Sequence, residues 1–227
     1  MLFPEETLRP LVSKGLELDT FAGLGFVTVA MVWTKRLRPA GFPAALGQDF
    51  FLAGYRIFTR LNDHGRRLRG LQILRSETDR NRMVWSGNLL THYHYRRVNV
   101  RISETAGQTR VQTALPDGTP TLDLMFAASV DAALPAGSPF GDWPTARRFA
   151  GPMPFTFGAE DDATFVVIEG ARRDWAPRPV EVREWRVRLF EEAPFREATP
   201  VLANAFAVNG IAYRWKRGRV VRAGGAA

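Results

Sequence analysis

Apolar and β-branched residues fall in short stretches bounded by turn residues, the pattern of β-strands rather than of long helices. Strands are predicted at Phe26–Trp33, Phe50–Leu61, Leu68–Ser76, Thr109–Ala114, Thr121–Ser129, Phe155–Phe157, Thr164–Ile168, Val180–Phe190 and Ile211–Val221. The first is apolar on both faces, which reads as a central strand. Asn62-Asp63-His64-Gly65 is a turn signal that makes the second and third stretches a hairpin, with His64 in solvent. Ala106-Gly107 marks another hairpin and Pro116-Asp117-Gly118 a further turn; Leu134–Pro144 reads as a loop rich in proline and glycine. Two helices are predicted. One starts at Pro4-Glu5-Glu6-Thr7-Leu8-Arg9 with a stripe of Leu8, Leu11 and Val12 and stops at Gly15; the other spans Thr78–Leu90 and is weakened by Gly87. Trp33, Trp85, Trp175 and Trp215 are read as packing residues. Two helices and about ten short strands make a β-rich barrel or sandwich. It is expected to be one domain over residues 1–222, with a frayed tail at 223–227.

The run Leu90–Ile102 carries two of the three histidines and two of the four tyrosines. As a strand it sets His92, His94, Arg96, Val98, Val100 and Ile102 on one face, and Tyr93, Tyr95, Arg97, Asn99 and Arg101 on the other. The face that ends as apolar core begins with imidazole and guanidinium groups, which are costly to bury without partners or water. Such a strand suits the wall of a cup with a packed floor and a wet mouth. Leu71, Ile73, Arg75 and Glu77 repeat this apolar-to-polar sequence on one face, and Arg56 shares a face with Leu52, Gly54 and Phe58. Arg56, Arg75, Glu77, His92, His94 and Arg96 are therefore expected to converge. Arginine offers fixed bidentate donors to a carboxylate, and histidine titrates near neutral pH. The plainer reading makes Arg75 and Glu77 a cross-strand ion pair and Arg56 a solvated side chain.

The 227 residues are 45% hydrophobic, so a substantial core can form. Cysteine is absent, which excludes disulfides and thiolate metal sites and fits a cytoplasmic location. No apolar run approaches the length that spans a bilayer, and no membrane partner is expected. The net charge of +8 draws anions. Lysine occurs only at 14, 35 and 216, and the remaining basic residues are scattered arginines, so nucleic acid is not the expected partner. His92 and His94 lack a defined third ligand, and neither metal nor cofactor is expected.

Several segments resemble DUF2071, a bacterial family of unassigned function that is itself similar in fold to acetoacetate decarboxylase. They are the opening Pro4–Leu11 and Gly15–Gly23, the strand Phe50–Arg60, the strand Gly70–Arg80, and Asn209–Trp215 near the end, with His92-Tyr93-His94 where the family tends to have Pro-Tyr-Tyr. The resemblance implies an α+β, mainly β fold: a cone-shaped antiparallel barrel or sandwich with a few flanking helices and a ligand cavity. In acetoacetate decarboxylase the strand matching His92-Tyr93-His94 carries Pro-Lys-Lys, whose first lysine forms a Schiff base. Tyr93 and His94 stand there in this chain, and neither forms an imine. Strand alternation turns His94 inward, whereas the alignment turns Tyr93 inward; a one-residue slip or a bulge reconciles them. The family's Glu and Asn become Leu52 and Gly54, while Arg56 matches. The expectation is a small anionic, carboxylate-bearing ligand held by Arg56, Arg75, Glu77 and Arg96, with His94, Tyr93 and His92 as candidate proton-handling groups. Homo-oligomerisation is expected by fold analogy alone. The alternative is a structural protein whose interior is filled by side chains.

Overall fold

The computed structural model describes residues 1–37, 43, 45, 47–91, 93–129, 132–172, 176–211 and 213–223. Its first part runs β1 (Leu2–Pro4), α1 (Glu5–Leu8), β2 (Leu16–Leu18), β3 (Leu24–Leu37), β4 (Gln48–Asp63), β5 (Arg66–Thr78), α2 (Asn81–Thr91) and β6 (Tyr95–Arg97). It continues through β7 (Asn99–Thr105), β8 (Gln108–Ala114), β9 (Pro120–Ala128), α3 (Trp143–Ala150), β10 (Phe155–Ala159) and β11 (Thr164–Arg172). It ends with β12 (Arg178–Val187), β13 (Phe206–Ala207), β14 (Tyr213–Trp215) and β15 (Arg219–Arg222).

Among the described residues these strands form two sheets. The larger is ordered β1-β3-β4-β5-β10-β11-β14, with β2 on β4, β6 on β5 and β15 on β11; the smaller is ordered β13-β12-β9-β8-β7. Pairing is antiparallel except where β10 and β6 each run parallel to β5, the first at its middle and the second at its end. The β4–β5 turn places His64 at φ +49° and Gly65 at φ +85°, the two positive φ values of a type I′ hairpin. Ala106 and Gly107 do the same between β7 and β8. Both hairpins fall where the sequence puts them.

Alternation along β4 explains the architecture. Ala53, Tyr55 and Ile57 face the smaller sheet and pack with Val111, Leu122, Val187 and Phe190. Phe50, Leu52 and Phe58 face the other way, so β4 is covered on both sides, as its nearly continuous apolar sequence requires. The larger sheet curls: Val166 and Ile168 of β11 meet Phe50 and Leu52 of β4 in one cluster, although β5 and β10 lie between those strands. The result is a mainly β half-barrel with a few helices at its flanks. α2 covers one stretch of the interior with Met83 and Val84, and α3 covers another with Ala146 and Ala150.

The differences from the sequence reading are local. The first helix is a four-residue α1 followed by a 3-10 turn at Arg9–Leu11, because the backbone is already extended at Val12. α3 was hidden beside a loop-like composition; Asp142 caps it by accepting from the Thr145 N–H at 2.7 Å, and Pro144 sits in its first turn. Trp33 and Trp85 are 51% and 74% exposed, not core. Trp175 lies outside the described residues, as does most of the expected frayed tail; Ala223 is tied down by its N–H to the Ala163 carbonyl at 2.7 Å.

Candidate functional site

The β4–β5 ladder contains a bulge. Tyr55 pairs with Arg75 but Arg56 pairs with Ile73, which leaves Leu74 as the extra residue. A bulge reverses the facing of everything beyond it. Leu71 and Ile73 point into the half-barrel, while Arg75 and Glu77 point to the smaller sheet and Ser76 and Thr78 take their place inside. The single polar ring expected from the sequence is thereby divided between two faces.

On the inter-sheet face, Glu77 is fully buried. Its Oε2 accepts from the Tyr55 hydroxyl at 3.0 Å and lies 3.2 and 3.1 Å from the hydroxyls of Thr113 and Thr121. Those two hydroxyls are also 2.6 Å apart, so their two protons serve three short contacts. Oε1 accepts from Arg96 Nε at 3.0 Å, and a second guanidinium nitrogen completes the ion pair. Burial, and then the Glu77 charge, raise the Tyr55 phenol well above its ordinary pKa, so it stays a neutral donor. Arg75 does not pair with Glu77. It donates to both oxygens of Glu192, at 3.1 and 2.8 Å, and that bond is the main cause of the lowered Glu192 pKa. Every acceptor in this cluster is occupied, so it bolts β5 and β6 to β8 and β9. Glu192 and Tyr55 were not anticipated. Tyr55 could be placed by alternation opposite Arg56, but nothing local ties Glu192 to Arg75.

On the interior face, Arg56 lies flat along β4. A Cβ on Gly54 would come within 2.8 Å of Arg56 Nε and Nη2, so only glycine leaves the guanidinium this path. Arg56 Nε is buried and has no hydrogen-bond partner among the described residues, and neither do the buried hydroxyls of Ser76 and Thr78. Gly54 pairs with Ser76, and Ser76 with Tyr95 of β6, so the Arg56 guanidinium lies over one end of a row Gly54–Ser76–Tyr95 that crosses three strands. The Tyr95 phenol is pushed above its ordinary range by burial first and then by Tyr93, while Arg56 pulls it back. Tyr93 packs beside Tyr95 with ring centroids 6.0 Å apart, and its hydroxyl lies 2.5 Å from Thr156 Oγ1.

The segment between α2 and β6 decides which side chains enter. His94 has φ +50° and is exposed, whereas Tyr93 and Tyr95 are each 4% exposed. The strand predicted from Leu90 to Ile102 is in fact the end of α2, a left-handed residue, β6 and β7. That kink replaces strict alternation and turns Tyr93 inward, as the alignment has it. His92 lies outside the described residues. The structure thus brings Arg75, Glu77 and Arg96 into one cluster and Arg56 and Tyr93 into another, and leaves His94 at the surface.

The family profile of DUF2071, described as an uncharacterized conserved protein, matches residues 3–209. The chain belongs to the DUF2071 family. No curated protein matches it in sequence. Among solved structures this DUF2071 chain resembles an acetoacetate decarboxylase at TM-score 0.58 and 12% identity, covering 98% of this chain and 85% of that one. It also resembles an acetoacetate decarboxylase-like enzyme from Sphingomonas wittichii (TM-score 0.51, 15% identity, 98% and 87% covered). A third neighbour is the enduracididine biosynthesis enzyme MppR complexed with pyruvate (TM-score 0.52, 9% identity, 97% and 84% covered). At these identities the likeness concerns the fold, and it agrees with the half-barrel described above.

The three lysines of this DUF2071 protein all lie at its surface. Lys14 pairs with Asp162 at 2.6 Å, Lys216 pairs with Glu169 at 2.7 Å, and Lys35 is exposed. None is on the Arg56 face, so no amine there can form an imine. Two open grooves of about 470 Å³ each lie elsewhere. One is beside α3, between Trp143 and Phe206, and the other is beside β7–β9, between Asn99 and Asp123. Among the described residues no helix is long and apolar enough to cross a membrane, and no group of three or more histidine and acidic side chains is placed to hold a metal ion.

Proposed function

We propose that this protein binds a small carboxylate-bearing molecule on the interior face of the half-barrel, with Arg56 as the anion-binding group. One observation carries the reading: a buried guanidinium nitrogen on the same sheet face as two buried hydroxyls, none of the three with a hydrogen-bond partner among the described residues. Buried polar groups are nearly always paired, with protein, ordered water or a bound molecule, and a carboxylate is the group that matches a guanidinium. A carboxylate accepts from Arg56, and Ser76 and Thr78 supply further donors. Tyr93 and Tyr95 form the wall. The pyruvate held by MppR supports the same class of ligand through the shared fold. A cytoplasmic setting suits a chain without cysteine.

His94 keeps a place in this proposal only at the mouth, since it is exposed, and His92 lies outside the described residues. Arg75 and Arg96 are committed to Glu192 and Glu77 and act as scaffold for β5 and β6. Calorimetry with pyruvate as the probe tests the reading. Wild type should bind and Arg56→Gln should lose roughly 10- to 150-fold in affinity, the worth of a charged hydrogen bond. Equal binding by both proteins removes Arg56 from the site.

A further inference from the structure

We infer, resting on the carboxylate reading above, that the ligand carries a single negative charge and an apolar body: an aliphatic or aromatic monocarboxylate rather than a dicarboxylate, a phosphate or a polyhydroxy acid. The surroundings of Arg56 make this selection. Its cross-strand partner on the interior face is Ile73, within the normal contact distance of paired side chains. Ile73 belongs to one packed cluster with Phe50, Leu52, Val166, Ile168 and the two tyrosines, roofed by Met83 and Val84 of α2.

The charges at this face are few. The Arg56 partners on β3 and β5 are Thr28 and Ile73; Gly54 is flanked by Ala30 and Ser76, and Leu52 by Val32 and Thr78. None of these is ionisable. Arg97, the next residue on the Tyr95 side of β6, donates its guanidinium to the Val98 carbonyl. Among the described residues of these ladders Arg56 is the cation whose buried Nε lacks an acceptor, and one anionic group supplies it. A second carboxylate would be buried against aliphatic and aromatic carbon with no counter-charge, which is strongly unfavourable. Each apolar carbon beyond the carboxylate instead gains contact with that cluster. Transfer of a methylene out of water corresponds to about fourfold in affinity. The Ser76 and Thr78 hydroxyls, without partners among the described residues, suit an uncharged oxygen next to the carboxylate.

The experiment is a calorimetric series on the full chain with acetate, butyrate, hexanoate, phenylacetate, succinate, inorganic phosphate and pyruvate. Affinity should rise several-fold from acetate to butyrate and again to hexanoate, phenylacetate should bind, and succinate and phosphate should not. Ile73→Val, with folding checked by circular dichroism, should weaken hexanoate about fourfold and leave acetate unchanged. If pyruvate binds but affinity is flat with chain length, or succinate or phosphate binds at least as well as butyrate, the inference fails while the carboxylate reading stands. If neither pyruvate nor any monocarboxylate binds, the reading itself fails and takes the inference with it.

Discussion

The two faces of the β4–β5 ladder use the same residue types to opposite ends. Toward the smaller sheet, Glu77 is buried and every acceptor it offers is met by Tyr55, Thr113, Thr121 or Arg96. Toward the half-barrel interior, Arg56 Nε and the hydroxyls of Ser76 and Thr78 are buried and unmet among the described residues. A closed network of this kind fixes how two sheets dock. An open one costs stability in the free protein and is kept when something outside the chain completes it. The contrast separates a structural polar cluster from the proposed binding one on the basis of satisfaction, since both hold buried polar atoms.

That contrast can be broken at four points, with effects that diminish in order. Glu77→Ala should be the most destabilising, by about 3 kcal/mol in urea unfolding, since it strands Arg96 and three hydroxyls. Replacing Glu77 by Leu and Arg96 by Met together should cost less than that single change, because no charge is then left unpaired. A double replacement that costs as much or more would mean that the network is not simply a paired charge.

Gly87→Val comes next. A Cβ on Gly87 would meet the Tyr95 ring at 2.4 Å, and Asn88 ties α2 to the Tyr95 backbone through bonds of 3.0 and 2.6 Å. The added side chain should push α2 off the interior face and destabilise by about 1–3 kcal/mol. Tyrosine fluorescence quenching by acrylamide should increase with it; unchanged quenching would show that α2 does not cover Tyr95.

Glu192→Gln should cost less than about 1 kcal/mol, because the Arg75 pair is partly exposed. Its signature lies in the pH dependence. Arg75 lowers the Glu192 pKa, so the pair's contribution is complete above the ordinary glutamate range and disappears as pH falls through the depressed folded value. The variant and wild type should differ at neutral pH and converge in acid. Divergence on acidification would contradict the pairing.

The smallest stability effect belongs to Arg56. The Arg56→Gln variant that loses pyruvate should unfold at nearly the same urea concentration as wild type, since no partner is removed from its Nε. A large loss of stability would instead identify Arg56 as a second structural clamp, and the two faces would no longer differ in kind.

Local pattern was enough for the hairpins and for the succession of strands, because turn chemistry and the two-residue strand period act over a few residues. It also marked Arg56, Arg75, Glu77, Arg96 and Tyr93 as chemically unusual among apolar neighbours. Their partition was not legible. The bulge at Leu74 and the positive φ at His94 each shift facing by one residue, and both arise from how β5 meets β4 and how β6 meets β5. Neither leaves a signature in the residues themselves. The sequence by itself determined a mainly β chain with an arginine set among small and apolar residues. Tertiary structure decided that Glu77 would be satisfied across 36 and 44 residues by Thr113 and Thr121, and that Arg56 Nε would be buried with no partner among the described residues. The physical reason is range: period and turn propensity are properties of neighbours in the chain, whereas hydrogen-bond satisfaction depends on which distant strands arrive opposite.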